Sequence, residues 1–180
     1  RREERPSQKQ RSARSDAERK TIARRMFRHF GILLLELLRF GRLSPEVMRA
    51  RVVVDGEARV RAAYAKGKGV LFFTGHFGFW EMHAMVHPLV FQPIGVLARP
   101  LDNPGLHTLL EEMRQRTGNT VIYREGAVRK VLRTLGMGHG VALLIDQHMH
   151  SPDAIWVRFF QRPAATTSTL AALALRTGAP

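Results

Sequence analysis

An α/β fold, with a mostly buried sheet flanked by helices on both faces and a basic amphipathic helix ahead of it, is what this sequence predicts. Three observations carry the prediction. Short, nearly continuous apolar runs recur at 70–73, 94–98, 120–123 and 141–145, the first three each followed by a longer segment of helical pattern. Strands that read as apolar throughout, alternating with amphipathic helices, belong to sheets covered on both faces. The chain is 44% hydrophobic over 180 residues, enough for one domain with a real core. Finally, its net charge of +14 is uneven: residues 1–28 hold 11 Lys and Arg against 4 Asp and Glu. A field of that sign attracts polyanions, whether lipid headgroups, nucleic acid or an acidic protein. The absence of cysteine excludes disulfides, cysteine-based zinc sites and thiol catalysis.

Residues 1–20 are charged and aperiodic, the composition of a disordered basic lead-in. From Thr21 to Phe40 the period becomes helical. Ile22, Met26, Phe27, Phe30, Leu33, Leu34, Leu37 and Leu38 share a broad face, with Arg24, Arg25, Arg28, Glu36 and Arg39 elsewhere. The apolar run from Phe30 to Leu35 is far short of the ~20 residues that span a bilayer, and no cleavable signal peptide is evident. Such a helix either lies in a membrane interface with its arginines at the phosphates or packs on the domain. Ser44-Pro-Glu and Asp55-Gly-Glu each open a short helix.

The alternation proper begins with strand Val70–Phe73, followed by a helix from Trp80 to His87 that Pro88 is expected to stop. Strand Ile94–Ala98 leads to helix 104–116, strand Thr120–Tyr123 to helix 126–135, and strand Val141–Ile145 to Asp146-Gln147. A further strand, Ile155–Phe160, precedes an apolar helix from Thr167 to Arg176. Sites in sheets of this kind collect at the carboxyl ends of strands.

The pattern His-x4-acid occurs three times, where random placement of 8 His and 15 acids would give about 0.7. His107/Glu112 falls within one helix, where five residues at ~100° each leave the side chains roughly 140° apart. His148/Asp153 lies in Asp146-Gln-His-Met-His-Ser-Pro-Asp153, where His148 and His150 share a face of an extended segment and Asp146 or Asp153 could complete a metal set. His83 and His87 stand at zinc-ligand spacing on a helix, also without a recognisable third ligand. The pair at Thr74-Gly-His76-Phe-Gly-Phe-Trp-Glu81 is different. Gly75 and Gly78 delay the helix, so His76 sits on the turn and Glu81 in the first helical turn, where the two can meet and the helix amino terminus favours the carboxylate. Arg99, Asn103, Arg114, Arg116 and Arg124 lie around the same strand ends and are candidates to clamp phosphate or carboxylate.

The block around His76 resembles the His-x4-Asp/Glu motif of the lysophospholipid acyltransferase-like superfamily. The form His-x-Gly-x-Trp-Glu is similar to that of the bacterial lipid A biosynthesis acyltransferases of the lauroyl/myristoyl type. Ala98-Arg-Pro-Leu-Asp-Asn-Pro104, Met113-Arg114, Val121-Ile-Tyr-Arg124, Leu143-Leu-Ile-Asp146-Gln147 and Val157-Arg-Phe-Phe-Gln-Arg-Pro-Ala164 follow in the family's order, and the resemblance runs from about residue 37 to 180. It implies transfer of a fatty acyl group from an acyl carrier protein or coenzyme A thioester to a hydroxyl of a membrane lipid, such as a lipid A precursor or a related glycolipid or phospholipid. By the motif, His76 is the general base and Glu81 orients and charge-stabilises its imidazole. Gly78, Arg114 and Arg124 are candidate donors to the oxyanion, and Arg99, Asn103 and Asp146 shape the acceptor site. No metal or bound cofactor is implied; acyl-ACP or acyl-CoA is the co-substrate. The expected partners are that donor, the lipid acceptor and an anionic membrane surface, with no nucleic acid, at the cytoplasmic face of a bacterial inner membrane.

The implied organisation is a lead-in at 1–20, a membrane-associating helix at 21–40 and an acyltransferase domain from 41 to 180. The family continues into more strands and helices beyond this point, so the domain is expected to be incomplete at its carboxyl end. Gln161 stands where the family commonly has Gly after the Phe-Phe pair. Two readings from other classes are a non-catalytic basic membrane- or nucleic-acid-binding module and a metal-dependent hydrolase using Asp146, His148, His150 and Asp153.

Overall fold

A computed structural model describes residues 15–180. Most of the expected lead-in, residues 1–14, lies outside the described residues. The rest of it is helical, because Ser15 and Glu18 form a reciprocal cap: the Ser15 N–H donates to Glu18 Oε2 at 2.7 Å and the Glu18 N–H to Ser15 Oγ at 3.3 Å. Helix α1 therefore starts at Asp16 and runs to Phe40, earlier than its apolar face alone suggests. The chain divides into two units, Arg1–Glu36 and Leu37–Pro180. Among the described residues no helix is long and apolar enough to cross a membrane.

The second unit holds the sheet. Helices α2 (Pro45–Ala50) and α3 (Glu57–Tyr64) lead into β1 (Val70–Thr74), α4 (Trp80–Val90), β2 (Ile94–Leu97) and α5 (Pro104–Gln115). Strand β3 (Thr120–Ile122), α6 (Ala127–Gly136) and β4 (Gly140–Leu144) follow. The strands are all parallel, in the order β1-β4-β2-β3. Alternation along β1 divides the two faces. Leu71, with Val141 and Ile122, packs under Val131 and Leu135 of α6 and Leu173 of α7 (Thr169–Thr177). Phe72 turns the other way, onto Tyr64 of α3 and His87 of α4. A second apolar cluster joins Phe40, Met48, Met85, Val86 and Met113, from α1, α2, α4 and α5.

Two local expectations change. Helix α4 does not stop at Pro88 but passes through it to Val90. Proline lacks the N–H that would bond the carbonyl of Ala84, and Asn119 replaces it, its Nδ2 donating to that oxygen at 2.6 Å. Asn119 is the buried polar side chain of the core; its Oδ1 also accepts the Ile94 N–H at 3.0 Å, tying α4 to β2. The strand at 155–160 is not part of the main sheet. It is β5 (Ile155–Phe159), paired antiparallel with β6 (Arg162–Thr166) as a separate hairpin in which every residue of β5 is exposed. Its turn, Phe160-Gln161, places two non-glycine residues in the left-handed region, at φ 48° and 64°.

Candidate active site

The order β1-β4-β2-β3 sets the geometry of the site. The chain leaves β1 towards α4 on one face, whereas the neighbouring β4 leads on to α7 on the other. Adjacent parallel strands whose connections part to opposite faces leave a crevice at their carboxyl ends. His76 follows β1 and Asp146 follows β4, so residues 70 apart in sequence stand side by side.

Asp146 grips His76 twice. Its Oδ2 accepts the His76 backbone N–H at 2.7 Å, and its Oδ1 lies 2.9 Å from the imidazole Nδ1. Burial at the strand end works to raise the pKa of Asp146, but the hydrogen bonds from the His76 backbone and ring, with the charge of that ring, hold it below the usual range. An ionised carboxylate only accepts, so in the neutral imidazole the proton sits on Nδ1 and the lone pair on Nε2. The Trp80 ring packs edge-to-face with the imidazole, 5.1 Å between ring centres, which restricts the plane of His76. Gly75 makes the approach possible: a Cβ there would sit 3.1 Å from the Asp146 carboxyl. Gly78, at φ +58°, turns the chain from this loop into α4.

Glu81 is elsewhere. Arg114 of α5 holds it with two parallel hydrogen bonds, Nε to Oε2 at 2.8 Å and Nη2 to Oε1 at 2.5 Å, and both side chains are nearly buried. Among the described residues no hydrogen bond or ion pair joins Glu81 to His76. The partner expected for the imidazole is thus replaced by Asp146, because the fork of a guanidinium engages both oxygens of Glu81. Arg114 is committed by the same contact, two of its donors being occupied.

The remaining candidates separate. The Asn103 side chain caps α5, accepting the Leu106 N–H at 3.0 Å. Arg99 is fully exposed and pairs with Asp102 at 3.1 Å, and Arg124 is exposed just beyond β3. His107 meets Glu111, 3.6 Å away, rather than Glu112. His148 and His150 pack against each other at 4.7 Å between ring centres, and Asp146 is turned to His76. Among the described residues no group of three or more His, Asp or Glu comes together as a metal site would require. His87 accepts or donates to the Tyr64 hydroxyl at 2.8 Å inside an aromatic cluster, and burial pushes its pKa down to about 4.

Asp146 and Asn119 are the residues whose importance a sequence reading understates. Asp146 could have been recognised as the first polar residue after a buried strand, but its pairing with His76 depends on β4 inserting between β1 and β2. No match was found among curated proteins. The family model of the bacterial lipid A biosynthesis acyltransferases matches residues 12–180, and the chain belongs to that acyltransferase family.

Proposed function

We propose that the chain carries the His76 centre of an enzyme that moves a fatty acyl group from an acyl carrier protein or coenzyme A thioester to a hydroxyl of a membrane lipid, a lipid A precursor or a related lipid. The observation that carries this reading is the Asp146–His76 contact, which engages Nδ1 and leaves Nε2 as the nitrogen available to an acceptor at the carboxyl ends of β1 and β4. Nε2 takes the proton of the acceptor hydroxyl as its oxygen attacks the thioester carbonyl carbon. The tetrahedral oxyanion then collapses, the carbon–sulfur bond breaks, and the imidazolium returns the proton to the departing thiolate. Asp146 is the positioning residue that selects the tautomer and stabilises the imidazolium, as the carboxylate of a hydrolase triad does.

The backbone N–H of Gly78, unbonded among the described residues and one turn from His76, is the favoured oxyanion donor. Arg124 remains a second candidate because it is exposed at the same end of the sheet. Glu81 acts through Arg114, fastening the first turn of α4 to α5 and with it the loop that presents His76. Arg99 and Asn103 border the acceptor side, Asn103 chiefly by starting α5. The positive charge suits an acidic carrier protein and the anionic cytoplasmic face of a bacterial inner membrane. The test is acyl transfer by the full-length protein, with carrier-protein and coenzyme A thioesters offered separately. His76→Ala should lower kcat/KM by about 100-fold or more with either donor that the wild type accepts; unchanged turnover would refute the proposal.

A further inference from the structure

The β5–β6 hairpin has more apolar surface in water than the fold explains. Trp156 is 68% exposed, Phe159 64% and Phe160 85%, with Ile155 and Val157 also exposed. Alternation places Ile155, Val157 and Phe159 on one face and Trp156 and Arg158 on the other, so among the described residues nothing covers either face of β5. The base is nevertheless fixed to the main domain. Thr166 Oγ1 donates to the Ile145 carbonyl at 2.8 Å, the Met149 N–H donates to the Ala165 carbonyl at 3.2 Å, and Ala165 is buried.

The tip is shaped as well as apolar. The register pairs Phe159 with Arg162, leaving Phe160-Gln161 as a two-residue turn with both residues left-handed. That conformation favours Asn and Gly and is unusual for a bulky residue. Its effect here is to set Phe160 at the outermost point, with the Phe159 ring edge-on 4.6 Å away. Charge complements the aromatics. Asp153 is the last acidic residue, and residues 154–180 contain Arg158, Arg162 and Arg176 with no Asp or Glu. Tryptophan and phenylalanine beside arginine, without acids, match a bilayer interface, where rings enter the headgroup–acyl boundary and guanidinium groups stay at the phosphates. A single-strand nucleic-acid surface spaces its stacking rings along a basic groove, whereas Phe159 and Phe160 stand together at a two-residue turn.

We propose that the hairpin is a membrane-contact site whose tip inserts Phe159 and Phe160 into the interface of an anionic bilayer, with Arg158 and Arg162 at the lipid phosphates and Trp156, which the register pairs with Ala165 nearer the stem, at headgroup level. The stem joins the domain at Ile145, the residue before Asp146, and Phe77, 88% exposed, follows His76 on the neighbouring strand end. Insertion would therefore turn the His76 end of the sheet towards the bilayer. This contact is independent of what His76 does, and its test involves no acyl transfer.

The test uses the full-length protein and large unilamellar vesicles of phosphatidylcholine, alone or mixed with phosphatidylglycerol. Emission of the wild type minus that of Trp156→Phe isolates Trp156 from Trp80, and the substituted residue is exposed, so the fold is kept. The difference spectrum should shift to the blue on anionic vesicles and stay put on phosphatidylcholine alone. Phe159→Ser/Phe160→Ser should weaken partitioning by about tenfold or more, with circular dichroism confirming an unchanged fold. Failure to bind anionic vesicles overturns the proposal. So does an unmoved Trp156 signal in bound protein, undiminished partitioning of the double variant, or a shift produced by oligonucleotides and not by vesicles.

Discussion

At the scale of single residues, the site depends on how closely two strand ends approach. Gly75→Ala would put a methyl group 3.1 Å from the Asp146 carboxyl and force it away from His76. We expect a loss of roughly tenfold or more in kcat with little change in unfolding midpoint, since a displaced orienting group costs rate before it costs stability; parallel turnover and thermal-melt measurements check it. Glu81→Gln acts differently, because it leaves the Arg114 guanidinium nearly buried beside a neutral amide. It should destabilise the fold by about 2–3 kcal/mol, read by chemical denaturation. Gln161 departs from the family pattern at a position whose φ of 64° is one that glycine adopts without strain. Gln161→Gly should raise stability by about 0.5–1 kcal/mol in the same assay.

At the scale of elements, the alternation of apolar runs and amphipathic segments made the main sheet legible, since Val70, Leu71, Ile94, Ile122, Val141 and Leu143 of its strands are buried. What was not legible is how elements were rescued or paired over distance. Pro88 predicted a helix end, and only the amide of Asn119, 31 positions later, permits α4 to continue. The strand at 155–160 was recognisable from its β-branched and aromatic residues, but not its partner, because Arg162-Pro-Ala-Ala-Thr166 carries almost no strand signal of its own. The pairing of His76 was hidden for a related reason. Local spacing offered Glu81, whereas the choice of Asp146 is made by strand order. His87 gives α4 and α3 a pH dependence. The unfolded chain takes up its proton near the ordinary value of 6.5, the folded one only near about 4, so between these values the unfolded state binds more protons. Stability should therefore fall as pH drops from about 6.5 towards 4, and His87→Gln should flatten that part of the profile in urea titrations across pH.

For the whole molecule, one end of the parallel sheet gathers the features that matter. The carboxyl ends of β1 and β4 present a histidine held by a carboxylate, and the aromatic hairpin is tied to the domain beside them. The chain belongs to the lipid A acyltransferase family, and the proposed function assigns that family's acyl transfer to this end; the excess of positive charge suits an anionic surface. The central claim is that His76 is a base set by Asp146 across two strands. It is tested most directly by measuring kcat/KM for acyl transfer by the full-length protein as wild type, His76→Ala and Asp146→Asn. The account predicts that each variant loses about 100-fold or more while remaining folded. Turnover by Asp146→Asn equal to that of the wild type would contradict it.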